Sequence, residues 1–533
     1  MKAPWTTVAA LAALALAARP LGAQTPAAPP PSDSAAPLAE LAAVGGAAED
    51  RARARELMGG EELHGFLVRS PSSRVARGRE REVVFLRPRA RMVYNSGVPF
   101  SQNEGTLWAG RGAGAVATAG ARARFGRVTL TVAPEVAMQQ NAEFQTVSPP
   151  GGDPTFPLSR WASPFHAEGY TADVPLRFGS GSHFALTAGQ SSLAVDAGRA
   201  AVGLATESQW WGPGVRNALV MSSNAPGFTH AFVRTAAPVR TRVGEFDGKW
   251  ILGSLGESDF FDERRANDAR SLNGVVVAWR PRWEPNLTLG ATRVVYAESK
   301  RAGRVPLHAL DAFLRTGERA DQLFGFFGRW VFAPAGVEVY GEWARQRGLA
   351  SPSHWLAEEG EPWAYTLGLQ WARPTAHGGA FRLQAEASDL EKGNVERGDF
   401  PVQSYYTSDR VAQGYTHQGR AIGAAIGPGG SSQWGAADYL GARWEMGVFA
   451  NRIRWENDAF YGTIRPLASS HDVSMLLGVR GGVRARRYTV RAELSSARRY
   501  NYLFQSGNGS FDNPEGVDLS NRTLRLSIEP RGR

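Results

Sequence analysis

From about Val83 onward, apolar and polar residues alternate with a period of two. Val128, Leu130 and Val132 alternate with Thr129 and Thr131, while Val337, Val339 and Trp343 share one face and Glu338 and Glu342 the other. The same alternation runs through Tyr365–Trp371, Phe381–Ser388, Tyr488–Ser495 and Leu524–Glu529. Successive side chains of a strand point to opposite faces, so the pattern predicts strands with one apolar and one polar surface. A soluble sandwich would show the same alternation with its apolar set inside. Here the polar set carries full charges, among them Glu342, Arg382, Glu386, Arg491 and Glu493. Such a set suits a hydrated lumen in which arginines pair with carboxylates.

Two further features favour a barrel in a membrane. Trp279, Trp283, Trp330 and Tyr340 stand near predicted strand ends, where interfacial aromatic girdles lie. Short turns such as Phe125-Gly126-Arg127 and Phe178-Gly179-Ser180-Gly181 contrast with long polar stretches such as Gln139–Ala172 and Glu257–Ser271. Short connections on one side and long ones on the other are the outer-membrane pattern. In lipid only a closed sheet satisfies every backbone group. The predicted fold is therefore all-β, a single transmembrane antiparallel barrel with Leu130, Val339, Leu369 and Leu383 facing lipid. About 470 residues, at ~10 per strand and ~15 per connection, give roughly 18 strands.

Two segments break the period. Leu38 to Leu63 looks helical and only partly amphipathic, interrupted by Gly45-Gly46 and Gly59-Gly60, and is expected as a small periplasmic helical element. Val305 to Arg315 places Leu307, Leu310, Phe313 and Leu314 at helical spacing, and a loop helix packed into the barrel mouth or onto its rim is expected. Before these, Lys2 precedes the apolar run Val8–Ala18, followed by Arg19-Pro20-Leu21-Gly22-Ala23. A charged start, an apolar stretch too short to span and a small-residue exit predict a cleaved signal peptide over 1–23. The expected organisation is that leader, a Pro/Ala-rich linker and helical segment over 24–64, and the barrel over 65–533.

Composition narrows the chemistry. The chain of 533 residues has no Cys, which excludes a disulfide scaffold, thiolate catalysis and Cys-ligated zinc. Lys and Arg number 60 against 50 Asp and Glu, and all but Lys2, Lys249, Lys300 and Lys392 of the basic residues are arginine. Those arginines are scattered among acids, as in Asp262-Glu263-Arg264-Arg265, rather than set in the basic stripe of a nucleic-acid binder. None of the nine histidines forms a His-Glu-x-x-His motif, and Gly110-Arg111-Gly112-Ala113-Gly114 opens no helix after a buried strand. His471-Asp472-Val473-Ser474 is the best fragment for a barrel-wall hydrolase, and its spacing reads better as a polar loop. No enzymatic activity, no cofactor and no metal are expected.

The informative stretch is Gly189 to Glu245, which holds Ser208-Gln209-Trp210-Trp211-Gly212-Pro213-Gly214. Adjacent indoles before Gly-Pro-Gly put two large rings on a stiff turn that no regular strand allows. Such rings serve either as a platform for sugar rings or as packing inside the barrel. Further segments accompany it: Tyr94-Asn95-Ser96-Gly97 with Asn103-Glu104-Gly105-Thr106-Leu107-Trp108, then Tyr340-Gly341-Glu342-Trp343, then Gly414-Tyr415-Thr416-His417-Gln418-Gly419-Arg420 through Gly427. Together these resemble the Wzi-type capsule assembly proteins of the Gram-negative outer membrane. The resemblance implies a barrel of about eighteen strands and a surface lectin that attaches capsular or exopolysaccharide to the cell. One departure is the chain end, Ile528-Glu529-Pro530-Arg531-Gly532-Arg533, which lacks the aromatic residue on which outer-membrane barrels commonly finish.

The long gaps carry arginine and aromatic residues together, a pairing suited to an acidic polysaccharide: rings for stacking and guanidinium for uronate carboxylates. The candidate binding residues are Trp210, Trp211, Phe260, Arg264, Arg265, Trp355, Trp363, Tyr405, Tyr406, Arg410 and Tyr415, with Trp161 and His166 in another such gap. The expected partners are that polymer and outer-membrane lipid, with the protein a monomer in the cell outer membrane. A porin or substrate-specific channel is the alternative, and an outer-membrane hydrolase a remote one. An open lumen would favour the channel; a filled one, the lectin.

Overall fold

The alternating segments form one closed antiparallel barrel. The computed structural model describes residues 44–60, 67–74, 81–149, 158–262, 264, 267–299, 302–313, 319–347, 362–376, 378–393, 402–464, 470–485, 487–505 and 517–530. The first staves are β1 (Arg81–Asn95), β2 (Gly112–Phe125), β3 (Val128–Val132 and Glu135–Gln139), β4 (His183–Thr187 and Ser192–Ala197) and β5 (Ala200–Ala205). Next come β6 (His230–Thr235 and Val239–Thr241), β7 (Gly244–Gly256), β8 (Ala269–Pro281), β9 (Leu287–Glu298), β10 (Ala320–Phe332) and β11 (Val337–Gln346). The remainder are β12 (Trp363–Pro374), β13 (Ala380–Asp389), β14 (Ser431–Leu440), β15 (Trp444–Trp455), β16 (Asp472–Arg484), β17 (Tyr488–Tyr500) and β18 (Leu519–Pro530). With the interrupted strands joined, this makes eighteen staves, and β18 pairs with β1 to close the ring.

The predicted faces are the observed ones. Leu130, Val339, Leu369 and Leu383 are 38–49% exposed on the outer wall, while Glu338, Glu342, Gln370, Arg382 and Glu386 between and opposite them are buried in the lumen. Paired residues share a face, so the Val339↔Leu369 and Leu369↔Ala385 pairs carry one outward row across β11, β12 and β13. Tight turns at Gly126-Arg127, Gly198-Arg199 and Arg242-Val243 mark one end, and the long connections leave the other. Trp283 and Trp330 are exposed beside the short-turn end, where Trp279 stacks on Phe246. Tyr340 departs from the girdle reading: it points inward, 5% exposed, and its hydroxyl donates to Glu386 Oε2 at 2.8 Å.

Three local expectations are corrected. Phe178–Gly181 is no strand-linking turn; it lies inside the long connection between β3 and β4, where Asn141 Nδ2 donates to the carbonyls of Phe178, Gly179 and Gly181. Between the two glycine pairs the helical segment is α1 (Ala47–Leu57), and 38–43 and 61–63 lie outside the described residues. It does not form a separate preface: its Ala54 and Leu57 pack on Ala380, Leu440, Val331 and Ala372, at the short-turn ends of the wall.

The third correction concerns 305–315. Ala302–His308 and Asp311–Phe313 form 3₁₀ turns rather than an α-helix, and Leu314 and Arg315 lie outside the described residues. The segment lies on the outer wall. Asn273 pairs with outward Leu252, and its Nδ2 donates to the carbonyls of His308 and Ala309 at 2.8 and 2.7 Å. Arg293, outward on β9, donates to Ala312 O at 3.2 Å. Two polar side chains on the lipid side are thereby satisfied by carbonyls of the strap, while Leu307 and Phe313 stay exposed.

The wall assignment predicts a depth-dependent penalty. Leu369→Arg should destabilise the folded barrel by about 2–4 kcal/mol, read from reversible urea unfolding in lipid, whereas Gln370→Arg on the inner face disturbs only local packing.

Candidate functional site

After Ala205 the chain leaves the wall and runs through the lumen from 206 to 229 before β6 begins. Its core is the Trp-Trp-Gly-Pro-Gly turn. Trp210 and Trp211 form a two-residue ladder with Val68–Arg69, and both rings are almost fully buried, at 2% and 1% exposure. The Trp210 indole N–H donates to Gly214 O at 3.1 Å and so closes the turn. Gly212 has φ +101°, and a Cβ there would meet Glu342 Oε1 at 2.4 Å, so both conformation and space demand glycine.

A turn in the middle of a barrel needs partners for its peptide groups. Charged side chains supply them. Gly214 and Leu219 N–H donate to the two oxygens of Glu342 at 2.7 and 2.8 Å. Val215, Arg216 and Asn217 N–H donate to Glu386 at 2.6, 2.9 and 2.9 Å. From the other side, Arg53 on α1 donates to Pro213 O and Arg69 donates to Gly212 O, each at 2.8 Å. Arg69 also lies over the Trp210 ring, 5.0 Å from its centroid.

The same charges tie α1 to the wall. Arg53 pairs with Glu338 at 2.5 Å, Glu56 with Arg329 at 2.5 Å, and Asp50 with Arg382 at 2.6 Å; Arg51 pairs with Glu445. Arg382 and Arg480 converge on Asp438 at 2.9 and 2.7 Å. Between these groups a polar cavity of ≈ 250 Å³ remains, lined by Asp50, Arg216, Arg480, Arg491 and Glu493 among others.

Above the turn, the connection from β13 to β14 folds inward. Tyr406 and Tyr415 hydroxyls donate to Leu219 O and Val220 O at 2.6 and 2.8 Å, and Ala424 N–H donates to the Tyr406 hydroxyl at 2.8 Å. Tyr405, Tyr406 and Tyr415 are wholly buried. Asp173 accepts from Ser258 Oγ, Ser258 N–H and Gly419 N–H, joining three connections into a roof. Glu257 lies beneath it, and burial, with Asp262, Asp173 and Asp268 nearby, pushes its carboxyl up to about 8 against the hydrogen bond from Gln413.

The candidate residues thus separate into groups. Trp210 and Trp211 take the packing reading of the two left open for them, and Tyr405, Tyr406 and Tyr415, expected in a surface loop, are likewise buried in the lumen. Trp363 is corrected to the outer wall, where it stacks on Tyr365. Phe260 is half-buried against Phe178, and His166 is buried beside Glu456. Arg264 and Arg410 are exposed; Arg265 and Trp355 lie outside the described residues. Trp161 stands half-exposed between two connections, with Arg160 and Arg177 4.3 and 5.4 Å from its ring centroid. Bridges Leu158↔Asp262 and Thr171↔Ser408 bring the loops bearing Trp161, Arg264 and Arg410 into one face. Sequence reading missed Arg160 and Arg177, although both flank an aromatic residue in a long gap. The His471–Ser474 fragment is committed elsewhere: Asp472 pairs with Arg499 at 2.7 Å and Ser474 accepts from Trp455 Nε1 at 2.8 Å.

Two outcomes follow from this arrangement. Trp211→Ala empties a sealed site and should cost about 3–5 kcal/mol, seen as loss of the heat-resistant folded form rather than selective loss of polymer. For Glu257, the folded state keeps its proton up to about pH 8, whereas an opened roof exposes a carboxyl of ordinary value near 4.5. Between these values the opened form binds fewer protons, so raising pH weakens the roof and lowering it from 8 to 5 strengthens it. Hydrogen exchange at Gln418, whose N–H donates to Gly256 O, should slow relative to its intrinsic rate over that interval, and Glu257→Gln should flatten the response.

Comparison with known proteins agrees with the geometry. Residues 87–297 match the family model described as capsule assembly protein Wzi. No curated protein matches the chain. Among solved structures, Wzi of Escherichia coli, described as an outer-membrane protein involved in group 1 capsule assembly and a carbohydrate-binding β-barrel, has a TM-score of 0.55 at 14% identity over 83% of this chain and 84% of that one. OccK5 of Pseudomonas aeruginosa has a TM-score of 0.39 at 10% identity over 83% of this chain and 97% of that one. The resemblance to the Wzi-type capsule assembly family, carried by the segments from Tyr94 to Gly427, therefore stands, in sequence over residues 87–297 and in fold over the barrel.

Proposed function

We propose that this barrel is an outer-membrane lectin that holds capsular or exopolysaccharide at the cell surface, reached by export through the leader at 1–23. The observation that carries the reading is the filled lumen: Glu342 and Glu386 fix a peptide turn across the barrel interior, and α1 is ion-paired beneath it. A channel needs a continuous aqueous path, and this interior is crossed by chain. Function then belongs to the extracellular face, and the Wzi family match names capsule assembly as its context.

On that face, Arg160, Trp161, Arg264 and Arg410 offer stacking area and exposed guanidinium groups. These suit an acidic polymer, with charge-assisted hydrogen bonds to carboxylates. Each contact is weak, and retention comes from many repeats of one polymer engaging many barrels. The protein acts by binding rather than by chemistry.

Proteoliposomes bearing the barrel should retain a polyuronate and release it as salt rises, because exposed charges are screened within ~8 Å at physiological ionic strength. Replacing Arg160, Arg264 and Arg410 by Gln should lower retention about tenfold or more while the folded barrel persists. Unchanged retention would remove these loops from the binding surface. In planar bilayers the native protein should pass no large steady current; such a current would reverse the choice of lectin over channel.

A further inference from the structure

The outer wall of β15, β17 and β18 carries charge where the alternation calls for apolar residues. Arg452 and Arg498 both pair with Met475, which is 48% exposed on the lipid side, so both guanidinium-bearing side chains leave the barrel outward. Arg522 pairs with Ser496 and shares that face. Strand spacing puts Arg452 and Arg498 about 10 Å apart across β16. Arg522 lies diagonally from Arg498, about 7–8 Å away. Arg498 and Arg522 are exposed and Arg452 half-exposed.

Their height is set by the strands. Arg522 stands eight residues above Pro530, about 26 Å of chain and roughly 20 Å along the barrel axis at a tilt of ~40°. The apolar rows below it, such as Val479, Leu494 and Leu524, fill the ~25 Å hydrocarbon band. The arginine Cα atoms therefore lie in the upper part of that band, on the side of the long connections, and their long side chains extend toward the outer-leaflet headgroups. One of the three is paired with a carboxylate, Arg498 meeting Asp518 at 3.4 Å and Ser520 Oγ at 3.3 Å, whereas Arg452 donates to the neutral Gln433 Oε1 at 2.9 Å.

We propose that Arg452, Arg498 and Arg522 form a site on the outer wall for the phosphorylated headgroup of an outer-leaflet lipid, whose acyl chains lie along Leu477 and Leu494. Guanidinium groups bind phosphate oxygens bidentately, and a row of three at steps of about 7–10 Å, roughly 15 Å from end to end, suits a headgroup bearing more than one phosphate. The site is separate from the polysaccharide face and does not depend on that reading. It anchors the barrel among the lipids that surround it.

The test uses the full-length barrel incubated with phosphatidylcholine vesicles containing either a diphosphorylated acylated glucosamine disaccharide or the same lipid without its phosphates. Lipid carried through purification is counted by native mass spectrometry. The native barrel should retain the phosphorylated lipid, and the triple Arg→Gln variant should retain it about tenfold less, with triple Arg→Lys intermediate. Heat-modified gel mobility verifies folding; should the triple variant not fold, Arg522→Gln alone is compared with the native barrel on the same two lipids. Equal retention of the two lipids by the native protein, or undiminished retention by the Gln variant, would overturn the site. Displacement of the lipid by inorganic phosphate at matched concentration would assign the cluster to free phosphate and overturn the lipid assignment.

Discussion

The structure depends on the capping of a peptide turn by two wall carboxylates. Residues 212–219 cross a lumen with no neighbouring strand to complete their hydrogen bonds, and a buried peptide group without a partner costs as much as a lost hydrogen bond. Glu342 and Glu386 take five N–H donors between them. Each carboxyl gathers several N–H donors at once, and the two project from β11 and β13, on either side of β12, and cannot follow the turn if it moves. The turn is thus fixed to the wall. Through Arg53 and Arg69 it fixes α1 and Arg69's own segment; through the Leu219 and Val220 carbonyls it fixes Tyr406 and Tyr415.

This arrangement inverts the ordinary distribution of polarity. Outside, the wall is apolar because lipid offers nothing to a polar group. Inside, charged side chains are buried without great cost because nearly every one meets an opposite charge or a peptide dipole, as Arg382 does between Asp50 and Asp438. Two of the outer exceptions obey the same rule. Asn273 and Arg293 face lipid, and the strap at 302–313 satisfies both with its carbonyls.

Much of the fold was legible in the sequence because a barrel wall repeats one physical requirement at every second residue. Leu369 beside Gln370, and Leu383 beside Arg382, declare their faces without further context, and strand number follows from length. The site was less legible. Aromatic residues next to glycine and arginine look alike whether they line a roof or fill a lumen, and Tyr405, Tyr406, Tyr415 and the two tryptophans proved to be filling. Inward-folding loops keep the same composition as exposed ones, since their partners are charged wall residues distant in sequence. The strap shows the same limit: Leu307, Leu310 and Phe313 have helical spacing, but their segment is seated by Asn273 and Arg293 from two strands that no local pattern connects to it.

The segments that carry the family resemblance therefore build the frame of the barrel rather than its exposed face. Their inward-facing residues meet one another inside the barrel: Asn103 Nδ2 donates to Arg216 O, Glu342 accepts from Gly214 N–H, Tyr415 donates to Val220 O and Arg420 to Leu107 O, whereas Tyr94 faces outward. A change at any of these sites breaks several buried partnerships at once. The exposed residues Arg160, Arg264 and Arg410 carry no comparable burden, since their neighbours are held by backbone bridges such as Leu158↔Asp262 and Thr171↔Ser408. On the proposed reading, exchange of loop-tip residues would alter what the barrel binds while the carboxylate-held turn stays as it is. The buried frame and the exposed loop face thus use different residues, separated by the roof that Asp173 ties together.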